Sequence, residues 1–356
     1  MAIDQSLLLN ERTTTPAPLV EIEDLRVFYK TVSGVSRAVD GVSLTMQRGE
    51  ILGIAGESGC GKSTLANALL RLTRPPGYID GGQVRFHPRG SEPVNLLTVD
   101  DAALRRIRWR NMAYIPQGSM NSLNPVMRVA DQFVDAMQEH GETQSGARAK
   151  VPELLKAVNL APYVDRLYPH ELSGGMKQRV IIAMAIALNP DLVIADEPTT
   201  ALDVNVQRII IQTLAELRDR LGMSIMIVSH DMAVHAELVD RVAVMYAGQI
   251  VEVRPVRQVF KEPLHPYTQA LIGAIPQVGG TRVRLEGIGG SAPNPTQWPE
   301  GCRFHTRCPF ATSYCRAVHP ELLPVPGRAA DDQSPASAVA CHLYHHRAEM
   351  GITDGR

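Results

Sequence analysis

The sequence predicts an α/β protein, with a doubly wound parallel core, an added antiparallel β layer, a helical subdomain and a small loop-rich carboxy-terminal domain. Three observations predict it. Between residues 49 and 230, short apolar runs that stop at polar residues alternate with stretches of helical period. Ahead of residue 49 the apolar residues alternate with polar ones, as half-buried antiparallel strands do. Beyond residue 260, proline and glycine accumulate and sustained apolar periodicity ends.

The elements follow in order. Residues 1–19, rich in Thr and Pro and without period, read as a mobile extension. Residues 19–29 and 38–46 read as half-buried strands, and 51–55 as a strand buried on both faces. A helix is expected from Ser63, and a short strand over 83–86 after the turn signals Pro75-Pro76-Gly77 and Asp80-Gly81-Gly82. Residues 111–116 read as a strand running into Gln117, and 119–172 as a helical insert. The segment Leu172-Ser173-Gly174-Gly175-Met176 opens an amphipathic helix that Asn189-Pro190 ends. A strand over 191–195, a helix over 204–221, a strand over 224–228 and a hairpin over 241–253 turning at Ala247-Gly248 complete the first domain, which is expected to span 20–260.

The chemistry centres on Gly56-Glu57-Ser58-Gly59-Cys60-Gly61-Lys62-Ser63, which has the spacing G-x-x-x-x-G-K-S between a buried strand and a helix. Its glycines let successive N–H groups converge on an anion at the positive end of the helix. Lys62 is expected to pair with β- and γ-phosphates and the Ser63 hydroxyl to ligate magnesium. In parallel sheets ligands sit beyond the carboxyl ends of the strands, and three further candidates end strands there. Asp196 is a candidate magnesium ligand, and Glu197 a candidate base for an attacking water. His230 could contact the γ-phosphate and that water, and Gln117 could sense magnesium and water through its amide.

Composition narrows the partners. Of 356 residues, 44% are hydrophobic, enough for a substantial core. Thirty-six basic side chains against 37 acidic leave no electrostatic footprint for nucleic acid or anionic membrane. No run approaches the roughly 18 apolar residues of a membrane span, and the amino-terminal residues lack the features of a signal peptide. A cytoplasmic location is therefore expected, where five cysteines read as metal ligands or thiols rather than disulfides.

Taken together, the phosphate loop, Gln117, the signature Glu171-Leu172-Ser173-Gly174-Gly175-Met176, the strand end at Asp196-Glu197, Ala201-Leu202-Asp203 and His230 resemble the ATP-binding subunit of an ABC transporter. The resemblance implies the P-loop ABC ATPase fold and two such subunits sandwiching two ATP molecules. It implies ATP bound by Tyr29, Ser58, Gly59, Cys60, Gly61, Lys62, Ser63, Thr64 and Gln117, with Tyr29 stacked on adenine. Magnesium would be held by Ser63, Gln117 and Asp196, and the catalytic residues would be Glu197 and His230. Ser173, Gly174 and Gly175 would contact the partner's ATP. The helical subdomain and the Gln117 loop would receive a coupling helix of a membrane subunit.

The tail, with His265-Pro266-Tyr267-Thr268-Gln269-Ala270-Leu271 and Gly301-Cys302-Arg303-Phe304-His305, resembles the extension of oligopeptide and dipeptide importer ATPases. This implies a second, similar ATPase as heterodimer partner, two permease subunits and an extracytoplasmic solute-binding protein, with the chain on the cytoplasmic face of the membrane. Relatives that import nickel or oligosaccharides share the extension, so those substrates stay open. A soluble ABC ATPase acting on nucleic acid or ribosomes is a further alternative, disfavoured because such chains usually carry two cassettes. A P-loop kinase or GTPase is disfavoured by the signature.

Cys302, Cys308, Cys315 and Cys341 follow C-x5-C-x6-C-x25-C. Four thiolates suit an iron–sulfur cluster or a tetrahedral zinc ion, or they remain reduced structural thiols. No C-x-x-C pair supports zinc, and the resemblance implies a 4Fe–4S cluster. His305, His319 and His342 lie near and read as surface residues rather than ligands. The domain over 261–356 is expected to need such a staple for want of a large core.

Overall fold

The computed structural model describes residues 18–275, 288–326, 337–347 and 349–350. Residues 1–17 of the expected extension lie outside them. In chain order the elements begin with β1 (Pro18–Thr31), β2 (Gly34–Gln47), β3 (Ile51–Ala55), α1 (Lys62–Leu69), β4 (Gly77–Phe86), β5 (Val94–Asn95), α2 (Asp101–Ile107) and β6 (Met112–Ile115). Then come α3 (Val129–Gln138), α4 (Gln144–Ala157), α5 (Gly174–Ala185), β7 (Leu192–Asp196), α6 (Val204–Leu221), β8 (Ser224–Ser229), α7 (Met232–Leu238), β9 (Arg241–Tyr246) and β10 (Gln249–Pro255). The tail holds α8 (Val256–Lys261), α9 (Pro266–Gly273), α10 (Ser313–Ala317), β11 (Leu323–Pro324), β12 (Ala338–Val339) and α11 (His342–His345).

Two sheets organise these elements. The antiparallel one runs β2-β1-β4-β5, and the larger one β11-β12-β10-β9-β3-β8-β7-β6. Within the larger sheet β9, β3, β8, β7 and β6 are parallel neighbours. Strands β3, β7, β8 and β9 are buried along their whole length, which is why they read as apolar runs rather than alternations. Their side chains divide by strand period. Ile51, Val193, Ile225 and Val242 face a core shared with α5, α6 and α7. Leu52, Ile54, Ile194, Met226 and Ala243 face α1 and the antiparallel sheet. Gly53 of β3 lies under His235 of α7, whose Nδ1 stands 2.4 Å from where a Cβ would sit.

Between β6 and β7 the chain is mostly helical. Phe133, Val151, Leu155 and Val164 of this part join the core on the α5–α6 side of the sheet.

The tail differs from a self-contained appendage. Strand β12 pairs with β10, Glu252 opposite Val339, and β11 pairs with β12, so the tail extends the main sheet. Tyr267 and Phe304 are buried in the same core as Ile51 and Val244. A separate cluster of Leu264, Val325, Val339 and Cys341 is small. The physical reason is the shortage of apolar residues, which leaves the tail to borrow the core of the ATPase sheet. Its root is pinned by a fully buried pair. Glu252 accepts from the backbone N–H groups of Leu264 and His265, and Arg254 donates to Glu252 at 3.3 Å and to the Glu262 carbonyl at 2.7 Å.

Candidate active site

The parallel register carries four candidates to one sheet edge. β3 and β8 deliver the phosphate loop and His230, and β7 delivers Asp196 and Glu197, with Asp196 opposite Val228. Gly61, at φ 113°, caps α1 in the left-handed region, and a Cβ there would lie 2.1 Å from the Ala38 carbonyl. Gly56 is constrained likewise by the Met245 carbonyl at 2.2 Å. Lys62 is buried and donates to the carbonyls of Gly56 at 2.7 Å and Glu57 at 3.0 Å. Ser58 and Gly59 are exposed, whereas Cys60 is buried and its thiol pushed up by desolvation, so it packs as a neutral group.

Ser63 Oγ donates to Asp196 Oδ1 at 3.0 Å, which brings the two expected magnesium ligands together. Asp196 also accepts from Tyr114 Oη at 3.1 Å. Burial raises its carboxyl pKa against the opposing pull of the Ser63 and Tyr114 hydrogen bonds. Glu197 has φ 52°, a strained backbone for a non-glycine residue at the end of a buried strand. One carboxylate oxygen receives His230 Nδ1 at 2.7 Å and the His230 backbone N–H at 3.2 Å; the other receives Thr200 Oγ1 at 2.9 Å.

Tyr29 lies beside the start of α1, its hydroxyl 3.3 Å from Thr64 Oγ1 and its ring against Gly77. Gln117 is exposed past the end of β6 and, among the described residues, bonds neither Ser63 nor Asp196. The turn after it is tied to the signature helix, because Ser119 Oγ donates to buried Gln178 Oε1 at 2.8 Å.

Ser173 caps α5, accepting from the Met176 N–H, and is exposed together with Gly174. Gly175 is buried instead, and a Cβ there would lie 2.5 Å from Val206 Cγ1 of α6. Its side-chain face therefore meets this chain's own α6, a packing requirement that the expected close approach to a partner's ATP does not contain.

Tyr114 and Thr200 are additions that the sequence reading missed. Tyr114 lies on β6 and pairs with Ile194 of β7, two residues before Asp196, a pairing that only the fold supplies. Cavity size does not mark the site: a cavity of about 600 Å3 lies between the antiparallel sheet and the tail, and no phosphate-loop residue lines it.

The four tail cysteines converge. Cys302, Cys308, Cys315 and Cys341 line one small cavity of about 20 Å3 with His305 and His342. Burial pushes the Cys302 thiol up to about 11 and the Cys341 thiol up to about 12. Among the described residues, no group of three or more His, Cys, Asp or Glu is arranged to hold a metal ion. The shared lining gathers a four-thiol donor set without distinguishing a cluster, a zinc ion or reduced thiols. His342 corrects the expectation of a surface histidine, since it is buried and bonds the Val318 carbonyl at 2.9 Å. His319 is exposed, and His305 bonds the Cys302 carbonyl.

Comparison with known proteins decides the family. Residues 39–200 match the family described as ABC transporter, and residues 251–315 match the oligopeptide/dipeptide transporter C-terminal region. The chain is 42% identical over 329 residues to a dipeptide transport ATP-binding protein, DppD, of Caldanaerobacter subterraneus, covering 92% of this chain and 97% of that one. The chain belongs to the ABC transporter ATP-binding proteins.

The DppD of Haemophilus influenzae is likewise 42% identical, covering 89% of this chain and 96% of its own length. A putative peptide import ATP-binding protein of Brucella abortus is 44% identical over 88% and 94%. Among solved structures, the chain is similar to the ATP-binding cassette MJ0796 in a dimeric post-hydrolysis state bound to ADP and Pi, with TM-score 0.59 and 28% identity over 67% of this chain and 99% of that one. As an ABC ATPase the chain hydrolyses ATP, with magnesium. Among the described residues no helix is long and apolar enough to cross a membrane, and subunits of this kind associate with membranes peripherally.

Proposed function

We propose that this chain powers import of oligopeptides or dipeptides through an ABC transporter. The observation that carries this reading is the union, in one continuous sheet, of the catalytic strand ends with a carboxy-terminal region of the oligopeptide/dipeptide type. The relatives named for dipeptide or peptide import align across both parts.

At the site, the backbone N–H groups from Ser58 to Thr64 bind the ATP phosphates, and Lys62 exchanges its two loop carbonyls for phosphate oxygens. Tyr29 stacks on adenine. Ser63 and Asp196, with Gln117, hold the magnesium, which supplies charge neutralisation at the phosphates. Glu197, fixed by Thr200 and His230, takes the proton of the attacking water, and His230 orients that water against the γ-phosphate. Ser173, Gly174 and the Gly175 backbone contact ATP held by a second, similar ATPase subunit in a heterodimer.

Two permease subunits receive the motion on the cytoplasmic side of the membrane, through the 119–172 surface and the Gln117 turn. The Ser119–Gln178 bond supports this route by joining that turn to the signature helix. An extracytoplasmic solute-binding protein delivers the peptide. Cys302, Cys308, Cys315 and Cys341 hold a 4Fe–4S cluster that staples the tail, supported by their shared cavity.

The test is reconstitution of the chain with its permeases and second ATPase in liposomes. Peptide presented by the binding protein is expected to raise ATP hydrolysis and to accumulate inside. Stimulation by nickel or an oligosaccharide, with none by peptide, overturns the substrate reading.

A further inference from the structure

Glu57, the second residue of the phosphate loop, spends two of its three polar groups on the tail. Its backbone N–H donates to Tyr267 Oη at 2.8 Å, and its carboxylate forks onto Arg307, with Nη1–Oε2 at 2.9 Å and Nη2–Oε1 at 3.0 Å. The third group, its carbonyl, accepts from the catalytic Lys62 at 3.0 Å. Arg307 and Tyr267 are built in rather than draped over the loop. The Arg307 side chain is 4% exposed, donates from Nε to the Gly289 carbonyl at 2.8 Å, and lies over the rings of Tyr246 and Phe304. Tyr267 is buried in α9 with its ring 4.5 Å from that of Tyr246. The Glu57 carboxylate, by contrast, is 27% exposed on a loop whose next two residues are open to solvent.

We propose that Arg307 and Tyr267 are positioning residues for ATP, reaching from the carboxy-terminal region to hold Glu57 by side chain and backbone. The idea rests on the phosphate loop being the ATP site. A bidentate guanidinium–carboxylate pair fixes direction as well as distance, which a lysine in the same place does not reproduce. With its N–H turned outward to Tyr267, Glu57 leaves the amides after it to converge on phosphate, and its carbonyl sets where Lys62 starts. The loop grips phosphate in ground state and transition state alike, so loosening it raises KM more than it lowers kcat.

The test uses the assembled transporter with MgATP as the varied ligand. Arg307→Gln is expected to raise KM for MgATP about tenfold with kcat within about twofold. Arg307→Lys should recover only part of the loss, and Tyr267→Phe, which keeps the ring and removes the hydroxyl, should raise KM by about threefold. Glu57→Gln should raise KM too, and Glu57→Gln with Arg307→Gln together should be no worse than Arg307→Gln alone, because the two side chains act as one unit. Independent, multiplying effects in that double variant overturn the proposal. If Arg307→Gln fails to fold, unchanged KM in both Tyr267→Phe and Glu57→Gln overturns it as well. A wild type indifferent to Lys62→Ala overturns the ATP site and this inference with it, whereas a Lys62-dependent enzyme whose KM ignores Arg307, Tyr267 and Glu57 overturns the inference alone.

Discussion

The catalytic edge of the sheet and the cysteine region are held in place by opposite means. Asp196, Glu197 and His230 stand where they do because β7 and β8 are parallel neighbours in register, backed by a core on each face. The cysteines sit on a five-residue helix, turns and loops, with Cys302 N–H donating to the Cys315 carbonyl at 2.8 Å and a small cluster behind Cys341. In the first region position is inherited from the fold, so a functional side chain can be removed without loss of structure. In the second, the proposed cluster would make the cysteine side chains themselves the joints.

The sharpest contrast is expected in rate. Glu197→Gln keeps the shape of the strand end and should lower ATP hydrolysis by about 100-fold or more while MgATP still binds, since it removes the base alone; Lys62→Ala should abolish both. Full turnover by Glu197→Gln in the assembled transporter ends its assignment as base. A comparable change in the other region should do the reverse. Changing Cys302, Cys308, Cys315 or Cys341 singly to Ser should remove iron from anaerobically purified protein and expose the tail to protease, with MgATP binding retained. Stoichiometric zinc without iron would replace the cluster by a single ion, and absence of any metal from the wild type would remove both.

Acid should act on the catalytic half through His235. Burial depresses its pKa to about 4, outweighing the favourable Ser229 carbonyl and the nearby Asp231 and Glu197, and Lys62 adds to the depression. The unfolded chain therefore binds the extra proton first, and stability is lost as pH falls from about 6.5 toward 4, by on the order of 2 kcal/mol between pH 7 and pH 5. A melting temperature that is flat across that range contradicts the buried neutral histidine. The smallest effect concerns the signature. Gly175→Ala should cost between about 1 and 2 kcal/mol by crowding Val206, and Val206→Ala in the same chain should return part of it. If the cost persists undiminished, the glycine is required by something other than α6.

What could be read from the sequence divides along the same line. The helix over 204–221 was legible to the residue, because Asp203 caps it and Gly222 takes the left-handed conformation that ends it. The places of Asp196 and His230 at strand ends were legible because the apolar run of a buried parallel strand stops at polar residues. The Ser63–Asp196 contact followed from the two motifs, but Tyr114 Oη on Asp196 did not, since a tyrosine in a strand carries no signal of which carboxylate it meets. Gly175 was legible as a glycine that allows close approach, but its packing against Val206 was not, because that residue lies on another helix. In the tail the four thiols were countable and their meeting place was not. The fork between Arg307 and Glu57 spans 250 positions and leaves no period to detect.

The strand at the end of the larger sheet has a bearing on life before assembly. An ABC ATPase subunit is made apart from its membrane partners, and an open strand edge invites other copies to add to it. Here the outermost strand, β11, is two residues long, and one of them is Pro324, which has no N–H to offer a newcomer. Of the seven residues of β10, β12 pairs with Glu252 and Val253. The tail thus works as a selvedge along part of that sheet, ending its border in a strand too short to extend.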